Sequence, residues 1–200
     1  MSPEKIAHFI GGQHVHSALG KTFGVADPAT GEEYAQVAVG IAGDLNQAVL
    51  AAQSALEKGP WSGMAAAERA RVLRDIAEAI DSRAGDIAAA EARGTGLPVA
   101  QAREQSDRAG GLFRRAADLI TAGAAADAPV APDHSGYVTE RPAGVAGLIT
   151  SWRTPFLAQA RAVAPALAAG CTAVLKPDER APLPAALLAE ITAAAGLPRP

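Results

Sequence analysis

The last third of the chain carries the feature that most constrains its fold, an alternation of short apolar runs with segments of helical periodicity. Residues 144–150 read GVAGLIT and residues 172–175 read TAVL, and neither run contains a charge. Helical segments follow them at 155–169 and 184–195. Uncharged runs of this length are typical of buried strands, and their alternation with helices predicts a parallel sheet with right-handed crossovers. We therefore expect the mononucleotide-binding half of a doubly wound α/β fold.

The preceding residues divide into a strand-rich start and a helical layer. Residues 1–40 contain short β-type runs, with a hairpin predicted at Gly11-Gly12 and a further turn at residues 27–31. Over residues 44–121 apolar side chains recur every three or four positions, which predicts helices, with Asp44 as the first N-cap. The expected helices run from 44 to the Gly59-Pro60 stop, and over 65–83, 86–93 and 99–121.

Three local signals lead to further expectations. The Gly110-Gly111 pair inside the last of these helices predicts either a kink or a close approach of another backbone. Residues 122–133 have few large apolar side chains and contain two prolines, so we expect a mobile loop. A strand is expected over 137–140, and Gly196 is predicted to cap the last helix.

Charge and cysteine content exclude several classes of function. The chain has 18 basic and 21 acidic residues and a net charge of −3, so we expect no nucleic-acid partner. Cys171 is the single cysteine, which excludes an intramolecular disulfide and a multi-cysteine metal site and fits a reducing cytoplasm. The histidines do not have metal-site spacing, so no metal is expected. No apolar run is long enough to span a membrane, and the start does not read as a secretion signal.

Three motifs in the C-terminal third are more specific. They are GVAGLITSWRTPF from Gly144, APALAAGCTAVLKPDE from Ala164 and AGLP from Ala195. In order and spacing they resemble the NAD(P)-dependent aldehyde dehydrogenase superfamily, whose usual runs are GVxxxIxPWNxP, APALAxGNxxVxKPxE and AGxP. The earlier segments FIGG, DPATGE and TGLP resemble the N-terminal hairpin and helical lead-in of that family, so the resemblance covers essentially all 200 residues.

The resemblance gives the predicted regions their meaning. It implies an N-terminal β-hairpin and helical layer packed on an incomplete doubly wound, Rossmann-like sheet, all within one incomplete NAD-binding domain. The hairpin strands fall in 1–40 and the helical layer in 44–121, an oligomerisation-type strand falls in 135–141, and the β-α-β-α nucleotide-binding half falls in 144–200.

Two short segments are predicted to bind a cofactor. The resemblance places Lys176 and Glu179 on the adenosine ribose of NAD or NADP, where an ammonium can donate to hydroxyls and a carboxylate can accept from them. It also places the run from Ile149 through Thr150 and Ser151 to Trp152 along the cofactor cleft. A solvated strand-to-helix loop is the alternative reading of Lys176 and Glu179.

Departures from the family pattern bear on catalysis. Arg153 occupies the position of the asparagine whose amide helps to form the oxyanion hole, and loss of one such donor typically costs about 10²–10³ in rate. Ala162 stands where the family has a lysine, and Cys171 stands in a turn position that is not the nucleophile's. In family members the phosphate loop, the general-base glutamate and the nucleophilic cysteine come later than residue 200. No catalytic residue is therefore predicted here, and cofactor binding is expected to be weak or vestigial.

Two hypotheses of function follow from this pattern. In the first, the chain is a truncated aldehyde dehydrogenase-like protein that is inactive alone and acts as an interaction or regulatory subunit. In the second, it is the N-terminal half of a split aldehyde or semialdehyde dehydrogenase that another chain completes. A sheet with few strands would leave an apolar face on Val145, Leu148, Val174 and Leu175, so we expect a homo-oligomer or a hetero-complex.

Overall fold

The computed structural model describes residues 3–122 and 140–199. The strands in these ranges are β1 (Glu4–Ile6), β2 (His8–Ile10), β3 (Gln13–Val15), β4 (Thr22–Ala26), β5 (Glu33–Ala38), β6 (Val145–Ile149) and β7 (Thr172–Lys176). The helices are α1 (Ala42–Glu57), α2 (Ala66–Ser82), α3 (Ala84–Thr95), α4 (Val99–Ala122), α5 (Pro155–Ala168) and α6 (Leu183–Ala194). Across the same ranges, every helix is too short or too polar to cross a membrane.

The N-terminal strands form two small sheets. β2 and β3 pair antiparallel around Gly11-Gly12, where both glycines have positive φ, so the predicted hairpin is confirmed. The second sheet has the order β1-β5-β4, in which β1 lies parallel to β5 and β4 lies antiparallel to it. The sequence did not predict β1 or β4 separately. β1 has only three residues and pairs with a strand about thirty positions away, whereas β4 pairs with β5 across the turn at residues 27–31.

The main hydrophobic core lies among α2, α4 and α5, and α6 also packs against it. Val72, Ile76 and Ile80 of α2 are buried, as their helical spacing predicted. Phe113 of α4 and Phe156 of α5 are fully buried in the same core. The chain is poor in aromatic residues, so these two rings are among the largest side chains available to fill the space between helices.

Helix α1 departs from its prediction in two ways. It begins at Ala42 with Ile41 as N-cap, so Asp44 lies inside the first turn and is not the cap. The Asp44 carboxylate accepts hydrogen bonds from the amides of Ile41 and Ala18, both at 3.0 Å, and thus ties the helix start to the preceding strand segment. Leu45 is also 55% exposed, so the apolar periodicity of α1 does not mark a fully buried face.

The other helix boundaries lie close to their predicted positions. α3 starts two residues earlier than expected and ends at Thr95, where Gly96 adopts a left-handed conformation with φ 72°. Ala195 is the cap residue of α6, and Gly196 follows it with φ 86°, one position beyond the predicted cap. A glycine at this position closes a helix without steric strain.

Strands β6 and β7 form the predicted parallel pair, with Val145 opposite Thr172 and Ile149 opposite Lys176. Helices α1 and α5 both pack against this pair. Leu148 and Leu175 are consequently half-buried and contact the main core. The expected uncovered apolar face is therefore wrong, because Leu148 and Leu175 pack against the core to which α5 belongs, and Val145 and Val174 are half-buried as well.

The Gly110-Gly111 pair lies within one continuous helix, α4. A Cβ on Gly110 would lie 2.5 Å from the Asp81 carboxylate and 3.4 Å from the Ala77 carbonyl oxygen, both on α2. A Cβ on Gly111 would meet nothing within 4 Å. Close approach of another helix, the second of the two predicted explanations, therefore accounts for Gly110.

The two glycines make a matched test of this packing. We expect Gly111→Ala to raise the free energy of unfolding by about 0.5–1 kcal/mol, because alanine favours the helix at an open site. Gly110→Ala should be at least about 1 kcal/mol less stable than Gly111→Ala, because its methyl group displaces the Asp81 side chain that pairs with Arg114. Urea denaturation of both variants measures the difference. Equal stabilities would contradict the close approach of α2.

Two sequence predictions fall largely outside the described residues. The mobile loop at 122–133 is described only at Ala122, which belongs to α4. The strand expected over 137–140 and the oligomerisation-type segment 135–141 are described only at residues 140 and 141, which are not in a strand. Both stay predictions.

Candidate functional site

The predicted cofactor segments lie side by side at one edge of the parallel pair. β6 ends at Ile149 and β7 ends at Lys176, and these two residues are opposite each other in register. The Thr150 amide donates to the Lys176 carbonyl at 3.3 Å, which extends the pairing by one residue. The loops that follow the two strands therefore leave the sheet together, at the carboxyl end where doubly wound folds bind their ligands.

Lys176 and Glu179 form an ion pair on this edge. The Lys176 Nζ lies 3.2 Å from Glu179 Oε2, and the side chains are 61% and 62% exposed. The pKa of Glu179 is lowered, first by its own backbone amide and then by the Lys176 ammonium. An exposed pair of this kind contributes little to stability, so both groups can be redirected to a ligand at low cost.

A second group in this loop was missed by sequence reasoning. Asp178 accepts two side-chain hydrogen bonds from Arg180, each 2.8 Å long, and these lower the pKa of Asp178 to about 2. The Arg180 guanidinium also lies over the Trp152 indole, 5.0 Å from the ring centroid. Arg180 therefore joins the loop after β7 to the loop after β6. The available signal was an Asp-x-Arg spacing within a short turn, which permits such a fork but does not show its contact with Trp152.

These loops border an open cleft of about 460 Å³, which lies between them and the segment formed by β4 and the end of α3. Its walls include Trp152, Glu179, Arg180, Thr95, Pro28 and Val25. The predicted residues Trp152 and Glu179 therefore face the same space, which β4 and the end of α3 close from the other side.

The loop between β6 and α5 carries the residue that departs from the family pattern. Arg153 is exposed, and within the described residues its guanidinium makes no hydrogen bond or ion pair. Its backbone amide donates to Ser151 Oγ at 3.1 Å. Thr154 follows with φ 45° and ψ 58°, a left-handed conformation that a β-branched residue rarely adopts. The loop thus holds local backbone strain immediately before α5.

The start of α5 is capped from another helix. The Phe156 amide donates to Glu91 Oε1 of α3 at 2.8 Å, and Glu91 is fully buried. Burial raises the pKa of Glu91 to about 7, while the Phe156 hydrogen bond acts in the opposite direction. The Thr154 side chain makes no capping hydrogen bond. Sequence reasoning missed Glu91, since a glutamate inside an amphipathic helix normally faces solvent.

The remaining chemically notable residues do not form a second site. Cys171 is buried in the turn between α5 and β7, as expected for a structural cysteine. His8 Nε2 lies 3.7 Å from the Asp44 carboxylate. Across residues 3–122 and 140–199, no group of three histidine, cysteine or acidic side chains could hold a metal ion.

Comparison with known proteins gives this architecture a family. The model of the aldehyde dehydrogenase family matches residues 14–200. The chain belongs to the aldehyde dehydrogenase family. It is 41% identical to 2-hydroxymuconic semialdehyde dehydrogenase of Pseudomonas sp. strain CF600 over 98% of its own length and 41% of that protein. It is 38% identical to 5-carboxymethyl-2-hydroxymuconate semialdehyde dehydrogenase of Escherichia coli, over 98% of its own length and 41% of that protein.

Solved aldehyde dehydrogenases share the fold closely. The NAD⁺ complex of the Bacillus cereus enzyme superimposes with a TM-score of 0.94 at 35% identity, over 98% of this chain and 40% of that one. The NAD-dependent enzyme of Sinorhizobium meliloti gives a TM-score of 0.94 at 33% identity, with 99% of this chain and 40% of that chain covered. These 200 residues therefore correspond to the N-terminal, Rossmann-like part of an aldehyde dehydrogenase and span about 40% of such a chain.

Proposed function

We propose that these 200 residues form an aldehyde dehydrogenase-like module that contacts the adenosine part of NAD(P) weakly and does not oxidise aldehydes on its own. The observation that carries the proposal is the juxtaposition of the Ile149–Trp152 run with Lys176 and Glu179 at the carboxyl ends of β6 and β7. The module would act through its interactions, as a subunit that binds or regulates another chain.

The donor set of this edge fits the ribose of a dinucleotide. The Lys176 ammonium can donate to a ribose hydroxyl, and the Glu179 carboxylate can accept from both hydroxyls. The nicotinamide ring of such a cofactor would supply a hydride acceptor, whereas Lys176 and Glu179 would hold only its adenosine ribose. A carboxylate at Glu179 favours a free 2′-hydroxyl over a 2′-phosphate, since the phosphate would add a like charge. NAD is therefore the preferred form in this proposal.

The observed residues also account for weak binding and lack of catalysis. Cys171 is buried in a turn and cannot attack an aldehyde carbon from that position. Arg153 replaces the amide donor that the family places beside the developing oxyanion. The ribose contacts alone leave the pyrophosphate and nicotinamide of the cofactor without partners among the residues that we assign to the site.

A split enzyme is the second candidate function. Ile149 is 85% exposed at the end of β6, and the relatives are more than twice as long as the region matched. In this alternative a second chain packs against the β6–β7 edge and supplies the nucleophile and base. Its substrate class would be a semialdehyde, which is supported by the names of the Pseudomonas and E. coli relatives.

Two measurements on the isolated chain test the proposal. We expect the purified 200-residue chain to form no reduced cofactor above a blank with aliphatic aldehydes, aromatic aldehydes or semialdehydes, using NAD⁺ or NADP⁺. Calorimetry with NAD⁺ should give a dissociation constant of about 1 mM or weaker. Glu179→Gln and Lys176→Met should weaken NAD⁺ binding further. Lys58→Met, which replaces an exposed lysine outside the site, should leave NAD⁺ binding unchanged.

Activity of the isolated chain, or micromolar NAD⁺ binding, would contradict the proposal. A second arm mixes the chain with a separate polypeptide that contains the part of the Bacillus cereus enzyme not covered here. Activity in the mixture would favour the split enzyme. An additional gain with Arg153→Asn would show that Arg153 limits the oxyanion site, since an asparagine amide is the donor it replaces.

A further inference from the structure

We propose that Glu91 is a positioning residue for the cofactor loop, and that its buried carboxylate holds the Ser151–Thr154 segment in the conformation that presents Trp152 to the cleft. The inference rests on the proposed function for the role of the loop, but its physical basis is independent of any ligand. It assigns a role to a residue of α3 that lies outside both cofactor segments.

The start of α5 has one buried amide that needs an acceptor from outside the helix. Pro155 occupies the first helical position and has no amide hydrogen to satisfy, so Phe156 carries the first free amide of the helix. Thr154 offers no side-chain cap, and Phe156 is fully buried, which removes water as an alternative acceptor. Glu91 Oε1, at 2.8 Å, is the acceptor that this amide has. Without it a buried donor would be unsatisfied.

The backbone at Thr154 is strained. Thr154 is the one non-glycine residue of the described ranges with a positive φ. Such a conformation persists only where surrounding contacts hold the backbone in place. The residues before and after Thr154 differ in how firmly they are held. Residues 151–153 are exposed, whereas Pro155 and Phe156 are buried in the core. The fixed end of the loop is therefore its α5 end, where Glu91 holds the Phe156 amide.

Glu91 is an unusual group to find in a core. Within the described ranges, Glu91 and Asp44 are the two charged residues that are buried, and Glu91 alone is completely inaccessible to solvent. Its Oε2 has no hydrogen-bond partner, so its surroundings satisfy one oxygen only. The Thr95 hydroxyl donates to the Glu91 carbonyl at 2.6 Å and fixes the backbone at the end of α3. An apolar side chain would pack at this position at lower cost in free energy. We therefore infer that the hydrogen bond to the Phe156 amide is the reason for a carboxylate here.

Four variants of the full chain test the assignment. Glu91→Gln keeps an oxygen acceptor for the Phe156 amide, Glu91→Asp keeps the charge but is one methylene too short, and Glu91→Met fills the space without an acceptor. Ile87→Ala, a buried position on the same helix, is the matched control for general loss of stability. Glu91→Asp retains a polar side chain and serves as the decisive arm if the Met variant does not fold.

Hydrogen exchange of the peptide covering residues 151–157 is the main readout, with global stability measured separately. We expect exchange there to accelerate about tenfold or more beyond the global change in the Asp and Met variants, and to stay within about threefold of the parent in the Gln variant. Trp152 emission should shift to the red in Glu91→Asp and Glu91→Met, and it should not shift in Glu91→Gln. Ile87→Ala should change exchange only in proportion to global stability.

Parent-like exchange at residues 151–157 in both Glu91→Asp and Glu91→Met, or an equal acceleration in Ile87→Ala, would overturn the assignment. NAD⁺ titration of the same proteins distinguishes this result from failure of the proposed function. If the parent itself does not bind NAD⁺, the cofactor role fails while the exchange and fluorescence results still decide the role of Glu91. If the parent binds, the Asp and Met variants should bind about tenfold more weakly than the Gln variant.

Discussion

Phe113→Ala should lower the free energy of unfolding by about 4 kcal/mol, within the range of about 3–5 kcal/mol typical of a fully buried aromatic residue. Phe113 is 0% exposed and lies in α4, the helix that packs against α2, α3 and α5. The same core contains several alanines, and their short side chains cannot fill the space that the ring leaves. The result is a cavity and not a collapsed site.

Urea denaturation followed by circular dichroism measures this loss. Leu119→Ala is the matched control, because Leu119 lies on the same helix but is 63% exposed. We expect it to change the free energy of unfolding by no more than about 0.5 kcal/mol. A loss below about 1.5 kcal/mol for Phe113→Ala would mean that the packing of α4 on its neighbours differs from that described.

Glu91 should make stability depend on pH in a specific window. The ordinary pKa of a glutamate carboxyl group is 4.5, and burial raises the pKa of Glu91 in the folded chain to about 7. Between these two values the folded state keeps a proton that the unfolded state has lost, so the free energy of unfolding falls as pH rises. Below 4.5 both states are protonated, and above about 7 both are ionised, so the contribution is constant outside the window.

Between pH 5 and pH 8, Glu91 should lower the free energy of unfolding by about 2–3 kcal/mol, as follows from the difference between the two pKa values. Burial is the cause, because the charged form loses its hydration in the core, and a single amide hydrogen bond from Phe156 offsets only part of that loss. Lowered carboxyl pKa values, such as that of Asp178 at about 2, affect stability only at more acidic pH and do not enter this window.

Glu91→Gln provides the measurement. The side chain at position 91 cannot ionise in this variant, so the difference in unfolding free energy between parent and variant isolates Glu91 from every other titratable group of the chain. We expect this difference to shift by about 2–3 kcal/mol in favour of the variant as pH rises from 5 to 8. A constant difference across the range would show that Glu91 has an ordinary pKa and is hydrated in the folded chain.

The parallel pair was predictable because its signals are local. A short uncharged run between helical segments predicts a parallel strand, and a helix repeats its apolar positions, so β6, α5, β7 and α6 can be read from short windows even though β6 is only partly buried. Once β6 and β7 are parallel neighbours, their carboxyl ends must share an edge. The family resemblance assigned Lys176 and Ile149 to one cleft, and the structure places them opposite each other in register.

Other features depended on partners distant in sequence. β1 has three residues, and its strand conformation follows from pairing with β5, about thirty positions away. Glu91 and Phe156 are 65 positions apart, and no spacing rule connects a helix-interior glutamate to the start of another helix. The stacking of Arg180 on Trp152 likewise joins two loops that only the sheet brings together.

The sequence by itself determined the α/β class, the family and the parallel pairing of β6 with β7, because these follow from periodicity and from motifs within short windows. The tertiary structure alone decided that α1 covers the parallel pair, that Gly110 is required by the approach of α2, and that Glu91 caps α5. The physical reason is that burial and hydrogen-bond satisfaction are properties of the assembled core. A residue such as Glu91 acquires an altered pKa and a structural role only when helices from separate parts of the chain exclude water around it.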